Sequence, residues 1–420
     1  MTLTRREWGI GAVAAASGAA LHNCSTADDA DGAASRPAGA DEAASASKSP
    51  DGGVLERSIV LDLHCDTPER IVREHLDLSQ RDTDGQLDIP RMREGGVTGV
   101  FFSIFTSATE GASLEAVKKA LTIIDAVVEE VNRHPGDLVL AATVAEIVRA
   151  KREKKIAILM GVEGGHMIDS SLAVLRSLYR LGARYMTLTH SAPTPWAGSS
   201  GSSEGPKGLT DFGEEVVREM NRLGMMVDIS HVSDQTFFDA LETSSAPMIA
   251  SHSSCRSLAG HPRNMTNEML QALAAKGGVV HINYYNAFLD GENNRRENEL
   301  KDLELKRAAA RKKFAGDSKQ TSIALRQVNR EQIERIGRVP LSRLLDHFEH
   351  AAKVAGVDHV GMGSDFDGVR DQLPEGMEDI SKIPNLVGGL GERGFSDSGI
   401  EKMLGGNTLR VMREVEKAAA

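Results

Sequence analysis

Residues 156–190 read IAILMGVEGGHMIDSSLAVLRSLYRLGARYMTLTH and contain one complete structural unit. The run at 156–162 is short, apolar and rich in Ile, Leu and Val, as a buried strand would be. It ends in Glu163-Gly164-Gly165-His166. Positions 173–181 then repeat apolar residues at helical spacing, and Gly182 offers a C-cap able to adopt left-handed geometry. A second strand at 185–188 follows and ends in Thr189-His190. The intervening helix carries the chain back to the starting end, so the two strands pair in parallel.

The pattern recurs on both sides of this unit. Apolar runs lie at 59–63, 97–105, 225–229, 248–250, 279–282 and 360–362, with helical candidates at 114–132, 212–223, 236–241, 269–275 and 344–354. Eight such strands predict an α/β chain of the (β/α)8 TIM-barrel type, a metal-dependent-hydrolase-like architecture. An open, doubly wound sheet is the alternative. It is weakened because no Gly-rich phosphate fingerprint follows the first strand. Residues 286–340 interrupt the repeat before the last strand. Their charges are mixed in sign, so they read as a solvated helical excursion, with one helix at 299–314.

The 420-residue chain carries 49 Lys and Arg against 60 Asp and Glu, a net charge of −11. That balance excludes a nucleic-acid partner held by a broad basic field. No apolar run approaches the roughly 20 residues of a membrane span. Three cysteines exclude a disulfide-stapled scaffold. Arg5 and Arg6 precede a Gly/Ala-rich apolar stretch, giving residues 1–24 the layout of a twin-arginine-like export signal. Leu21-His22-Asn23-Cys24 resembles a lipoprotein box, so a membrane enters the reading only through a lipid on Cys24 or an uncleaved signal. Residues 25–53, dominated by Ala, Ser, Gly and Asp, read as a disordered tether. The barrel is left with 54–420, and the expected location is the periplasm or cell envelope.

In such a barrel the site forms where the strands end. The first strand ends in His64-Cys65-Asp66, and residues two apart in an extended chain face one side. Glu163, His190, His231, His252 and Asp365 follow at the ends of the third, fourth, fifth, sixth and eighth strands. A lone histidine there is usually a structural, hydrogen-bonded residue. Six of eight strands ending in His, Asp or Glu is different, because burying so many ionisable groups is costly without a cation. Imidazole and carboxylate without clustered cysteine suit Zn2+ or a similar divalent ion, and the set is large enough for two.

The same residues fall into seven ordered motifs. They are Asp62-Leu63-His64-Cys65-Asp66, Gly161-Val162-Glu163-Gly164, Arg184-Tyr185-Met186-Thr187-Leu188-Thr189-His190, Asp228-Ile229-Ser230-His231-Val232-Ser233, Ser251-His252-Ser253-Ser254, Pro262-Arg263-Asn264 and Gly363-Ser364-Asp365-Phe366-Asp367-Gly368. In these the chain resembles the membrane, or renal-type, dipeptidases, a zinc-peptidase branch of the amidohydrolase-like barrels. The resemblance implies a dizinc metallopeptidase acting on dipeptides with a free C-terminal carboxylate, C-terminal D-residues included, by attack of a metal-bridging hydroxide. It assigns His64 and Asp66 to one Zn2+, His231 and His252 to the other, and Glu163 to the bridge. Asp365 takes the proton-transfer role, His190 stabilises the oxyanion, and Arg263 clamps the substrate carboxylate, for which a guanidinium fork is suited.

His281 departs from the family's apolar residue on the seventh strand and is expected not to be a ligand. His166 is read as a neighbour of Glu163 or a loop histidine, and Cys65 and Cys255 as reduced thiols. Two alternatives stand beside the leading reading: an N-acyl-D-amino-acid amidase on the same dizinc site, and a non-catalytic metal- or peptide-binding envelope protein. Asp365 beside a full ligand set speaks against the second, since binding needs no proton shuttle. The expected partner is a small dipeptide, and a homodimer is compatible with the sequence.

Overall fold

Eight apolar runs form the staves of one parallel barrel in the computed structural model, which describes residues 53–107, 111–369 and 371–419. The strands are β1 (Leu61–Cys65), β2 (Gly99–Phe105), β3 (Leu138–Leu140), β4 (Ile156–Glu163), β5 (Ala183–Thr187), β6 (Met226–Asp228), β7 (Ile249–Ala250), β8 (Val279–Ile282) and β9 (Val360–Met362). Neighbours run β1-β2-β4-β5-β6-β7-β8-β9. The ring closes past the end of β9, where Cys65 bridges Phe366, the Asp66 N–H donates to Phe366 O at 2.8 Å and the Asp365 N–H donates to His64 O at 3.0 Å. The export signal expected at residues 1–24 and the tether expected at 25–53, apart from Gly53, lie outside the described residues. Among those described, no helix is long and apolar enough to cross a membrane.

Three details depart from the expected pattern. The short strand β3 has no counterpart among the apolar runs; it lies off the ring and pairs only with β4, from Leu138↔Ile156 to Leu140↔Ile158. Three residues are too few to show a periodicity. β1 begins and ends two residues later than the run at 59–63, because its ladder with β2 continues to Cys65↔Phe102. The helix expected at 299–314 is interrupted at Leu300, where Gly291–Glu299 gives way to Lys301–Lys313.

Side-chain alternation divides the core into two layers. Leu61, Leu63, Phe101, Ala157, Leu159, Tyr185, Met226, Ile249 and Val279 fill the lumen, and Leu409, Val411, Met412 and Val415 of the helix Asn407–Ala418 pack against them. The alternate residues, such as Val100, Phe102, Ile158 and Val162, pack against the surrounding helices. One irregularity decides the site. The register of β1 shifts between Asp62 and Cys65, a bulge-type slip. Leu61 and Leu63 belong to the lumen, whereas Cys65 belongs to the outer layer. The slip therefore turns His64 toward the barrel mouth.

The excursion comprises the helices Asn286–Leu289, Gly291–Glu299, Lys301–Lys313 and Ser318–Ile336. Its buried seam mixes apolar and polar groups: Leu303, Val328 and Ile336 are buried beside Arg307, which bonds Gln332 and Asn329. Arg326 pairs with Glu74 at 2.7 Å, and Arg330 with Asp84. The first contact straps the last helix to Thr67–Glu74, the helix that follows the β1 ligand segment, and the second ties it to the loop at Asp84.

Candidate metal centre

Each candidate metal ligand is delivered by a strand end, and Arg263 by the loop that follows β7. Glu163 is the last residue of β4, paired with Phe105 on one side and Thr187 on the other. It is 4% exposed, and Ser103 donates to its Oε2 at 2.9 Å. Around it stand His64 Nε2 at 3.5 Å, His231 Nε2 at 3.2 Å, and His190 and His252 Nε2 at 3.6 Å each. His64 Nε2 also lies 3.6 Å from Asp66 Oδ2. His231 and Asp365 adopt left-handed backbone, φ 69° and 67°. Such strain costs about 1 kcal/mol and persists where the surroundings impose it. For His231 they do: the Ser200 N–H and hydroxyl both donate to its carbonyl, at 2.8 and 3.0 Å.

The hydrogen bonds behind the histidines fix their tautomers. Asp228 Oδ2 accepts from the Ser251 hydroxyl at 2.6 Å, so Ser251 Oγ in turn accepts from His252 Nδ1–H at 2.7 Å. The Tyr185 hydroxyl donates to Leu63 O at 3.2 Å and can then accept from His64 Nδ1–H at 2.8 Å. Both rings are left with an Nε2 lone pair facing the centre. Gly161 is required by this arrangement, because a Cβ there would fall inside the Tyr185 ring.

The convergence is that of a cation site. His252 Nε2 lies 2.8 Å from His231 Nε2. Burial holds both histidines well below their ordinary pKa, which keeps the rings neutral and able to ligate, and His231 Nδ1 is buried without a hydrogen-bond partner. His64 Nε2 and Asp66 Oδ1 are buried without a hydrogen-bond partner. A divalent ion answers all of these at once, and the donor set of imidazole and carboxylate suits Zn2+. Three trios bring one ligand atom per residue within 4.8 Å of one another: His64, Glu163 and His252; Glu163, His190 and His231; and His64, Asp66 and Asp365. Glu163 belongs to two of them, as a bridging carboxylate would.

The remaining groups line the mouth. The His190 ring packs against Phe105, with centroids 4.9 Å apart, and against His231, at 4.3 Å. Burial pushes Asp365 up to about 7, with the Asp66 charge adding to the effect. Arg263 is 8% exposed and donates to Ser253 Oγ at 3.2 Å and His252 O at 3.1 Å. Its Nε has no partner, and burial lowers its pKa to about 10. A buried guanidinium with an unmet N–H is a receptor for an anion. Its face also lies 5.3 Å from the Phe288 ring.

The structure thus brings together all eight residues singled out by the sequence: His64, Asp66, Glu163, His190, His231, His252, Arg263 and Asp365. It places His281 elsewhere, with its ring bonded to Ala250 O and Thr408 Oγ1 at 2.9 Å each. His166 bonds Thr106 at 2.9 Å, and Cys65 and Cys255 are free, buried thiols. Sequence reasoning missed Tyr185, Asp228, Ser251 and Asn283. The first three stand inside the quoted motifs without a role. Asn283 occupies the position after β8 on its inward column.

Comparison with known proteins places the chain in a family. The profile of the membrane dipeptidase family, peptidase family M19, matches residues 52–420. An uncharacterized dipeptidase, C965.12, of Schizosaccharomyces pombe is 36% identical over 386 residues, covering 87% of this chain and 82% of its own. Among solved structures, the probable dipeptidase PvdM of Pseudomonas aeruginosa shares the fold with a TM-score of 0.74 at 24% identity, over 88% of this chain and 98% of its own. A metallopeptidase of Rhodobacter sphaeroides, solved with a phosphinate mimic of the dipeptide L-Ala-D-Ala, gives 0.70 at 25% identity, over 85% and 99%. The chain belongs to the membrane dipeptidase family, peptidase family M19, and is a metallo-dipeptidase, a hydrolase.

Proposed function

We propose that this protein hydrolyses dipeptides with a free C-terminal carboxylate, including those with a C-terminal D-residue, at a centre of two divalent ions, Zn2+ by the nature of the donors. The observation that carries the reading is the convergence of His64, Asp66, Glu163, His231 and His252 beside a buried Arg263 with an unmet N–H. When bound, the ions polarise the scissile carbonyl and acidify a water.

The chain supplies the rest. Glu163 holds the ligand histidines of several strands around one carboxylate, while Asp228 and Tyr185 keep the His252 and His64 lone pairs pointed inward. His190 directs a ring nitrogen toward the place where oxygen charge develops. Asp365 accepts a proton from the attacking water and returns it to the leaving amine, so the carboxyl group ends as it began. Arg263 receives the substrate carboxylate, a charge that an internal residue of a longer peptide does not present. The dipeptide mimic held by the R. sphaeroides relative supports extending the range to D-residues. Residues 1–24, with their twin-arginine-like layout, serve as an export signal that sends the protein to the envelope.

The test assays metal-reconstituted protein against L-Xaa-L-Xaa, L-Xaa-D-Xaa and N-acyl-D-amino acids, with Asp365→Asn as control. Metal-dependent turnover of dipeptides that falls in Asp365→Asn is expected. Preference for N-acyl substrates would move the assignment to an amidase, and no turnover of any substrate would defeat catalysis at this site.

A further inference from the structure

By the period of two, the inward column of β8 runs Val279, His281, Asn283. Val279 lies in the lumen, and Asn283, fully buried, reaches the mouth one residue beyond the strand. Its Nδ2 donates to Asp365 Oδ2 at 2.9 Å, and its Oδ1 accepts from the Tyr285 N–H at 2.6 Å. Turning the amide over would set oxygen against carboxylate and NH2 against N–H, so the bonding fixes its orientation.

Asp365 needs such a hold. Its backbone stands in the left-handed region and is pinned by its own N–H to His64 O at 3.0 Å, but that bond leaves χ1 free. Its carboxylate also shares a trio of ligand-capable atoms with His64 and Asp66, all within 4.8 Å. Swung fully toward that trio, it would act as a further ligand and lose the oxygen that carries a proton. We infer that Asn283 is a positioning residue, fixing the Asp365 rotamer so that one carboxylate oxygen is held by the amide while the other serves proton transfer. The inference rests on the role proposed above for Asp365.

The test uses the full chain, metal-reconstituted, with a dipeptide substrate. Asn283→Asp keeps the acceptor for Tyr285 and replaces the donor with a repelling carboxylate. Asn283→Ala removes both bonds and serves if the added charge prevents folding. Either variant is expected to lower kcat about 100-fold, with KM and metal content near those of wild type. In an Asp365→Asn background the same substitution should cost less than about threefold more, because the partner it positions is already gone. Equal losses in both backgrounds, a loss carried by KM, or one that tracks metal content would overturn the inference. A working wild type with an undiminished Asn283→Asp defeats the inference alone, whereas an inactive wild type defeats the hydrolytic reading and this inference with it.

Discussion

Replacing Asp228 by asparagine should weaken metal binding while leaving the fold nearly intact. Asp228 Oδ1 accepts from the backbone N–H groups of Ser230 and Ser251, at 3.1 and 2.8 Å, and Oδ2 accepts from the hydroxyls of Thr187 and Ser251. Backbone donors cannot turn round, so in Asp228→Asn the new amide's carbonyl must face them and its NH2 must face the hydroxyls. Those hydroxyls rotate and accept. Ser251 then donates to His252 Nδ1, and His252 is driven to the tautomer that carries its proton on Nε2, toward the centre. To coordinate a cation the ring must revert, leaving donors opposed and one buried hydrogen bond unmet, a cost of about 1–3 kcal/mol. That corresponds to a metal affinity roughly 10- to 100-fold lower, the range seen when partners behind a ligand are removed. Chelator competition with the reconstituted protein measures the affinity, and urea unfolding of metal-free protein measures the fold. An affinity within about threefold of wild type would refute the tautomer argument. So would a metal-free protein destabilised by more than about 3 kcal/mol, because the loss would then be structural.

Arg263→Lys keeps the charge but loses the fork, and should raise KM for dipeptides at least about 10-fold with kcat little changed; steady-state kinetics on a dipeptide and its C-terminal amide checks this, and an unchanged preference for the free acid would exclude the clamp. Leu159→Ala in the lumen should cost about 2–5 kcal/mol in urea unfolding; a cost under about 1 kcal/mol would show that the barrel interior collapses around the gap. Acid should also destabilise the fold through His347. That ring is buried, accepts from the Cys255 N–H at Nδ1, donates to Leu289 O from Nε2, and is lowered to about 4 by burial. Above pH ~6.5 neither the folded nor the unfolded state protonates it, and the stability is whole. Between pH ~6.5 and ~4 only the unfolded state takes up the proton, so stability falls by about 1.4 kcal/mol per pH unit. His347→Gln should flatten that slope, and identical slopes would rule the residue out.

Much of this molecule is legible in its letters. The strands show as apolar runs because a barrel stave is buried on both faces, and the ligand residues show because polar groups at the ends of such runs stand out. What depends on pairing does not show. β3 is too short to carry a period, and the slip in β1 exists only in its ladder with β2. Tyr185, Asp228 and Ser251 can be quoted as motif residues, yet their work of setting a ring's tautomer depends on which neighbouring strand each one meets. Asn283 is concealed in the same way, since its partner Asp365 stands 82 residues away.

The slip in β1 reaches beyond this chain. Laid on an even ladder, Asp62-Leu63-His64-Cys65-Asp66 would present Leu63 and Cys65 to the cavity and send the imidazole and its carboxylate neighbours into the helical jacket. The same five letters would then describe a greasy, thiol-tipped stave that brings neither the imidazole nor the carboxylate of this centre to the cavity. A homologue that retains the motif but deletes one residue beside it should therefore be inert toward metal despite its apparent credentials. Screening of sequences for this chemistry is better done on the register of the first strand against the second than on the identity of its histidine alone.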